Sequence, residues 1–146
     1  MEQKKSVTEI LQMHGKYLTP VCGTSMNPLL HEGTDTVVIV PNIGPLHRYD
    51  VPLYLRKNGQ HVLHRVMRIE QDGYAMCGDH QLQLEHGITD EMILGVMEGF
   101  FRGKRYVKTT NVGYRLYVFF WCRVPFVRKL CLHLMRRKGE RRGKTE

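Results

Sequence analysis

At 146 residues, 42% of them apolar, the chain is long enough for one ordinary hydrophobic core and too short for several domains. Its four cysteines (Cys22, Cys77, Cys122, Cys131) lack C-x-x-C spacing and its eight histidines are scattered. That pattern argues against a disulfide frame and against a metal site, and for free thiols in a reducing compartment. The net charge of +8 excludes an acidic, solvating chain and leaves membrane surfaces, acidic partners and nucleic acid as uses for the surplus.

The chain opens with a helical pattern from Ser6 to His14. Ser6 is the cap, Glu9 completes a capping box, and Val7, Ile10 and Leu11 face inward. Next comes Gly23-Thr24-Ser25-Met26-Asn27-Pro28. Gly23 frees the backbone before Ser25, and Pro28 favours the first turn of a short helix. A serine there has two uses. With the unpaired N–H groups of Thr24 and Ser25 beside it, it is a nucleophile next to an oxyanion hole. Alternatively, Thr24 and Ser25 simply cap a helix that enters Leu29 and Leu30. Cys22, three residues earlier, has no neighbour that favours a thiolate.

A strand is expected over Thr36–Val40. Val51–Lys57 and Gln60–Glu70 flank Asn58-Gly59, a strong hairpin signal, and Asp72-Gly73 turns into Tyr74–Cys77. The expectation is a three-stranded meander with His64 in its middle strand. Alternation puts Val62, His64 and Val66 on one face and His61, Leu63 and Arg65 on the other. Flanked by valines, His64 is held neutral by desolvation and able to accept a proton, or is a structural core histidine. Gly78-Asp79 leaves the third strand, so Asp79 is the nearest carboxylate to orient His64. Glu85 and Asp90 are later alternatives.

From Gly23 to about Gly99 the blocks run in a recognisable order: G-T-S-M-N-P, E-G-x-D before Thr36–Val40, Tyr49-Asp50-Val51, H-R-V, G-D, and Ile93-Leu94-Gly95-Val96. This series resembles the signal peptidase I and LexA-type superfamily of serine peptidases. The resemblance implies a mainly β fold of coiled, barrel-like strands, with a short N-terminal helix and a basic amphipathic C-terminal helical segment added in this chain. It also implies a serine attacking a peptide carbonyl, without a cofactor. Most bacterial members place a lysine where this chain has His64, so it is similar to the archaeal and endoplasmic-reticulum type, which pairs serine with histidine. Carried over by motif, Ser25 is the nucleophile, His64 the base and Asp79 the acid. The further acidic position after Gly-Asp is met only by Glu85. The family's side-chain oxyanion donor falls at Gly23, which leaves the backbone N–H groups of Thr24 and Ser25 to form the hole.

Charge divides the chain. Residues 1–101 carry 8 Lys+Arg against 12 Asp+Glu, a net of −4, and residues 102–146 carry 14 against 2, a net of +12. The expected organisation is therefore a peptidase domain over 1–101 and a basic, aromatic-rich tail over 102–146, beginning at Arg102-Gly103-Lys104. The longest apolar run in the tail, Leu116–Cys122, is seven residues, against about 20 for a spanning helix. Residues 114–138, followed by a basic tail from Arg136 to Lys144, suit a helix lying in the interface of an anionic membrane. Packing on its own domain or on a protein partner is the other use, and nucleic acid is not expected. No apolar segment of anchor length precedes Ser25, so the expected location is the cytoplasmic side of the membrane, held peripherally, or the cytoplasm.

The sequence thus points to a serine endopeptidase that removes leader or signal segments from precursor peptides or proteins. The alternative is a non-catalytic binding or dimerisation module of the same fold. Oligomeric state is set by no feature of the sequence.

Overall fold

The computed structural model describes residues 6–142. Met1 to Lys5, and Gly143 and Lys144 of the basic tail, lie outside the described residues. The protein is mainly β, with a curled half-barrel sheet and helices at both ends. Two compact units divide between Thr109 and Thr110.

In the first unit, helix α1 (Val7–His14) carries the expected capping box. Ser6 Oγ accepts from Glu9 N–H, and Glu9 Oε2 accepts from Ser6 N–H. Gly15 closes the helix in the left-handed conformation, its N–H on Leu11 O, and Leu11 is buried. The larger sheet runs β1 (Tyr17–Pro20), β2 (Asp35–Val40), β8 (Ile93–Arg102), β3 (Pro52–Leu55), β4 (His61–Leu63), all antiparallel, and β9 (Arg105–Lys108) also pairs with β8. Val96 pairs with Val40 on one side and Pro52 on the other, so ten-residue β8 is the spine of this sheet. Register shifts at Val38/Ile39 and Leu53/Tyr54 add twist, which lets the sheet curl. The smaller sheet is β5 (Arg65–Glu70), β6 (Gly73–Cys77), β7 (Glu85–Ile88).

The expected single strand Gln60–Glu70 is two strands in two sheets, and His64 is the step between them. β4 pairs with β3 through the Asn58-Gly59 turn, as read. Beyond His64 the backbone changes partners: Tyr49 N–H donates to Val66 O, and Val66 N–H donates to Asp50 O. The physical cause is core closure. Val62 and Val66 both enter one apolar cluster with Leu46, Tyr54, Tyr74, Met76 and Ile88, which draws on both sheets. A straight strand could not bury both ends there. Arg65, expected on the face opposite His64, is fully buried.

Two further expectations change. Ser25 to Leu30 forms turns with Asn27 N–H on Thr24 O and Leu30 N–H on Met26 O, so Thr24 and Ser25 cap no helix. The boundary lies beyond Phe101, because β8 continues to Arg102 and Gly103-Lys104 is the turn into β9. Arg102 belongs to the β unit. Its guanidinium grips buried Asp35 through Nε and Nη2 at 2.9 and 2.6 Å and reaches Leu29 O at 2.7 Å.

The second unit is two helices where one was expected, α2 (Val112–Arg123) and α3 (Pro125–Arg142). Asn111 caps α2, and Pro125 opens α3, where its missing N–H costs nothing. Trp121 is buried and stacks on Tyr117, 5.7 Å between ring centroids.

Candidate active site

The Ser25 loop is shaped by Gly23, whose φ of 80° needs a residue without Cβ. It is docked by its main chain: Ser25 O accepts from His80 N–H at 2.9 Å. A Cβ on Gly78 would collide with that same carbonyl oxygen. This is the packing reason for glycine before Asp79. Ser25 is half-buried, and among the described residues its Oγ has no hydrogen-bond partner. The N–H groups of Thr24 and Ser25 likewise make no hydrogen bond within the described chain, which leaves two donors next to the hydroxyl. Asn27 Oδ1 and His80 Nδ1, from the loop and from the residue that grips it, are also buried without partners.

Arg65 pairs with Cys77 at the end of the β5–β6 ladder, so His64 and Gly78 are the chain neighbours of that last pair. His64 is 4% exposed. Its Nδ1 lies 3.3 Å from Tyr54 Oη and 4.0 Å from Glu85 Oε2. Tyr54 Oη donates to Glu85 Oε2 at 2.9 Å, and Arg56 holds both oxygens of Glu85 through Nε and Nη2 at 2.8 and 2.6 Å.

Burial, then the neighbouring Glu85 carboxylate, holds the Tyr54 phenol well above its ordinary value, so it stays protonated and gives its hydrogen to Glu85. With that hydrogen on Glu85, the Tyr54 oxygen has a lone pair toward His64 Nδ1, an arrangement that suits the Nδ1–H tautomer. Burial lowers the pKa of His64 from its ordinary value. The Arg56 charge adds to that, while Glu85 and Asp79 oppose it. Arg56 in turn holds Glu85 below the usual carboxylate range, against the effect of burial. At neutral pH the lowered pKa favours the uncharged ring, with the Tyr54 phenol beside its Nδ1.

Asp79 takes a different partner from the one its spacing suggests. It is 1% exposed, and Arg65 Nε and Nη2 occupy its two carboxylate oxygens, both at 2.8 Å. Arg65 Nη1 also donates to Tyr49 O at 3.0 Å. Fully buried Arg65 needs a counter-charge, and a bidentate pair with Asp79 supplies one where an imidazole could not. The Asp79 charge acts on His64, raising its pKa, and the residue after Asp79 supplies the N–H that holds the Ser25 carbonyl. The carboxylate next to the His64 ring is Glu85. Asp90 accepts from Tyr74 Oη at 2.7 Å.

Sequence reasoning missed Tyr54, Arg56, Arg65 and Arg102. Tyr54 left a usable signal: the Asn58-Gly59 turn sets Tyr54 opposite Val62, which puts it diagonal to His64 on one face. Among the described residues no three His, Cys, Asp or Glu side chains group to hold a metal ion. Comparison with protein-family models, curated proteins and solved structures finds no match to this chain.

Proposed function

We propose that the chain is a serine endopeptidase of the signal-peptidase type, removing leader or signal segments from precursor peptides or proteins. The observation that carries this is His64. It is buried, its pKa is lowered by that burial, and its Nδ1 lies 3.3 Å from the Tyr54 hydroxyl, next in the chain to Arg65, whose ladder partner Cys77 precedes the Gly78 that packs on the Ser25 carbonyl.

In this mechanism Ser25 Oγ attacks the scissile carbonyl carbon as His64 Nε2 takes the hydroxyl proton. The carbonyl π pair moves to oxygen, where the N–H groups of Thr24 and Ser25 stabilise it. When the tetrahedral species collapses, the C–N bond breaks and His64 returns the proton to the leaving amine. Water, deprotonated by the same ring, then releases the acyl group and regenerates Ser25. The imidazolium formed in each half is stabilised by Tyr54 and the Glu85 charge behind it. Substrate binds extended along a sheet edge, where pockets read alternate side chains. By resemblance, those next to the cut take small residues.

Comparing protein N-termini in cells that carry the wild-type and Ser25→Ala chains tests the reading. Mature ends that vanish in the variant while precursors accumulate are the expected result. Identical N-termini at equal expression, with purified protein cleaving no peptide, would replace it with a binding or dimerisation module.

A further inference from the structure

Each helix of the second unit buries one line of side chains and exposes an apolar line on its other side. On α2 the buried line contains Tyr114 and Trp121, and on α3 it contains Arg128 and Leu132. The opposite side of α2 exposes Val112, Leu116, Phe119 and Phe120, at i, i+4, i+7 and i+8. That of α3 exposes Phe126, Leu130 and Leu134, at i, i+4 and i+8. Phe126 is 72% exposed and Phe120 52%, so these rings are open to solvent rather than tucked at an edge. Single exposed apolar residues are ordinary, but stripes at helical spacing on consecutive helices are not.

Charge decides what covers them. Residues 110–146 hold 10 Lys+Arg against 2 Asp+Glu. Arg115, Arg123, Lys129 and Arg136 are exposed, and the Arg123 guanidinium sits 5.8 Å from the Phe119 ring centre. A second copy would bring like charge against like. RNA would satisfy the cations and leave seven large apolar side chains in water. An anionic bilayer surface satisfies both: phosphates meet the guanidinium and ammonium groups, and the rings enter the acyl boundary beneath them. Among the described residues no helix is long and apolar enough to cross a membrane.

The geometry points to a lipid-docking surface made by these stripes of α2 and α3, which lie in the plane of an anionic membrane with Phe119, Phe120 and Phe126 inserted. The inference is independent of peptidase activity. Flotation of the full chain with vesicles tests it, using phosphatidylcholine alone or with about a third phosphatidylglycerol. Flotation is expected only with the anionic vesicles. Phe119→Ser with Phe120→Ser is expected to weaken partitioning roughly tenfold or more. In a Phe126→Trp chain, the added tryptophan should shift its emission to the blue and be quenched by brominated acyl chains. Failure to float, or flotation indifferent to the Phe119 and Phe120 changes, would overturn the inference. So would a dimer in sedimentation velocity, or RNA binding, that is lost with those two side chains while lipid binding is absent. If the double variant loses helical circular dichroism, quenching in the Phe126→Trp chain decides alone.

Discussion

At the scale of single residues, the site depends on which carboxylate and which ring nitrogen meet. Ser25, His64 and Glu85 were legible as candidates, because a turn serine, a histidine between valines and a late acid are each local patterns. The role of Asp79 was not legible: sequence distance cannot show that Arg65, next to His64 in the chain, takes both of its oxygens. Tyr54→Phe keeps the buried ring and removes only Oη. We expect kcat to fall roughly tenfold to a hundredfold with KM little changed, and nitrogen-15 NMR of His64 to change from the Nδ1–H tautomer to a mixture. A wild-type ring already in the Nε2–H form would refute this assignment, whether or not the protein cleaves peptides. The pH dependence has a definite sign. The folded pKa of His64 lies below its ordinary 6.5, so the uncharged ring predominates at pH 7 and is lost as pH falls through that depressed value. The acid limb of kcat/KM is expected below 6.5. In the same window the unfolded chain binds more protons than the folded one, so stability also declines as pH drops, and urea titrations at several pH values would show it.

At the scale of elements, the step at His64 and the Ser25 loop are held by contacts that join distant segments. Hydrophobic alternation marked Val62, His64 and Val66 correctly as inward, yet it could not show that the strand changes sheets between them. That change comes from closing one core with residues of both sheets. Gly78 was read as part of a turn, and its reason is the Ser25 carbonyl oxygen, which stands where a Cβ would lie. Gly78→Ala is expected to cost about 1–3 kcal/mol of stability, since the Ser25 backbone and the Gln81 side chain would both have to move. Denaturant unfolding measures this, and an unchanged midpoint would mean that the loop is not docked as described. Arg102→Ala strands buried Asp35, whose carboxyl is held below its ordinary value because Arg102, His31 N–H and Thr34 together outweigh burial. The expected loss is about 2 kcal/mol, less than the ~3–5 kcal/mol of wholly buried pairs because water reaches the half-exposed arginine.

At the scale of the whole molecule, charge and contacts draw the boundary in different places. The acidic-to-basic change falls near Phe101, whereas β8 and β9 carry the first unit on to Thr109. A chain ending at Thr109 is therefore expected to keep the unfolding temperature of the first unit. One ending at Phe101 loses both β9 and the Arg102 clamp and should unfold well below it. Equal behaviour of the two in thermal unfolding by circular dichroism would place the boundary where the charge does. By itself the sequence determined what short-range physics determines. The capping box at Ser6, the hairpin at Asn58-Gly59, the mainly β character, the inward face of His64 and the basic helical end all follow from spacing and side-chain type. Only the tertiary structure decided which carboxylate stands by the imidazole, where a strand leaves one sheet for another, which helix faces stay open and where the first unit ends. Each of these depends on which long-range partners win a place in one closed core, and that competition is settled by packing and counter-charge among segments far apart in the chain.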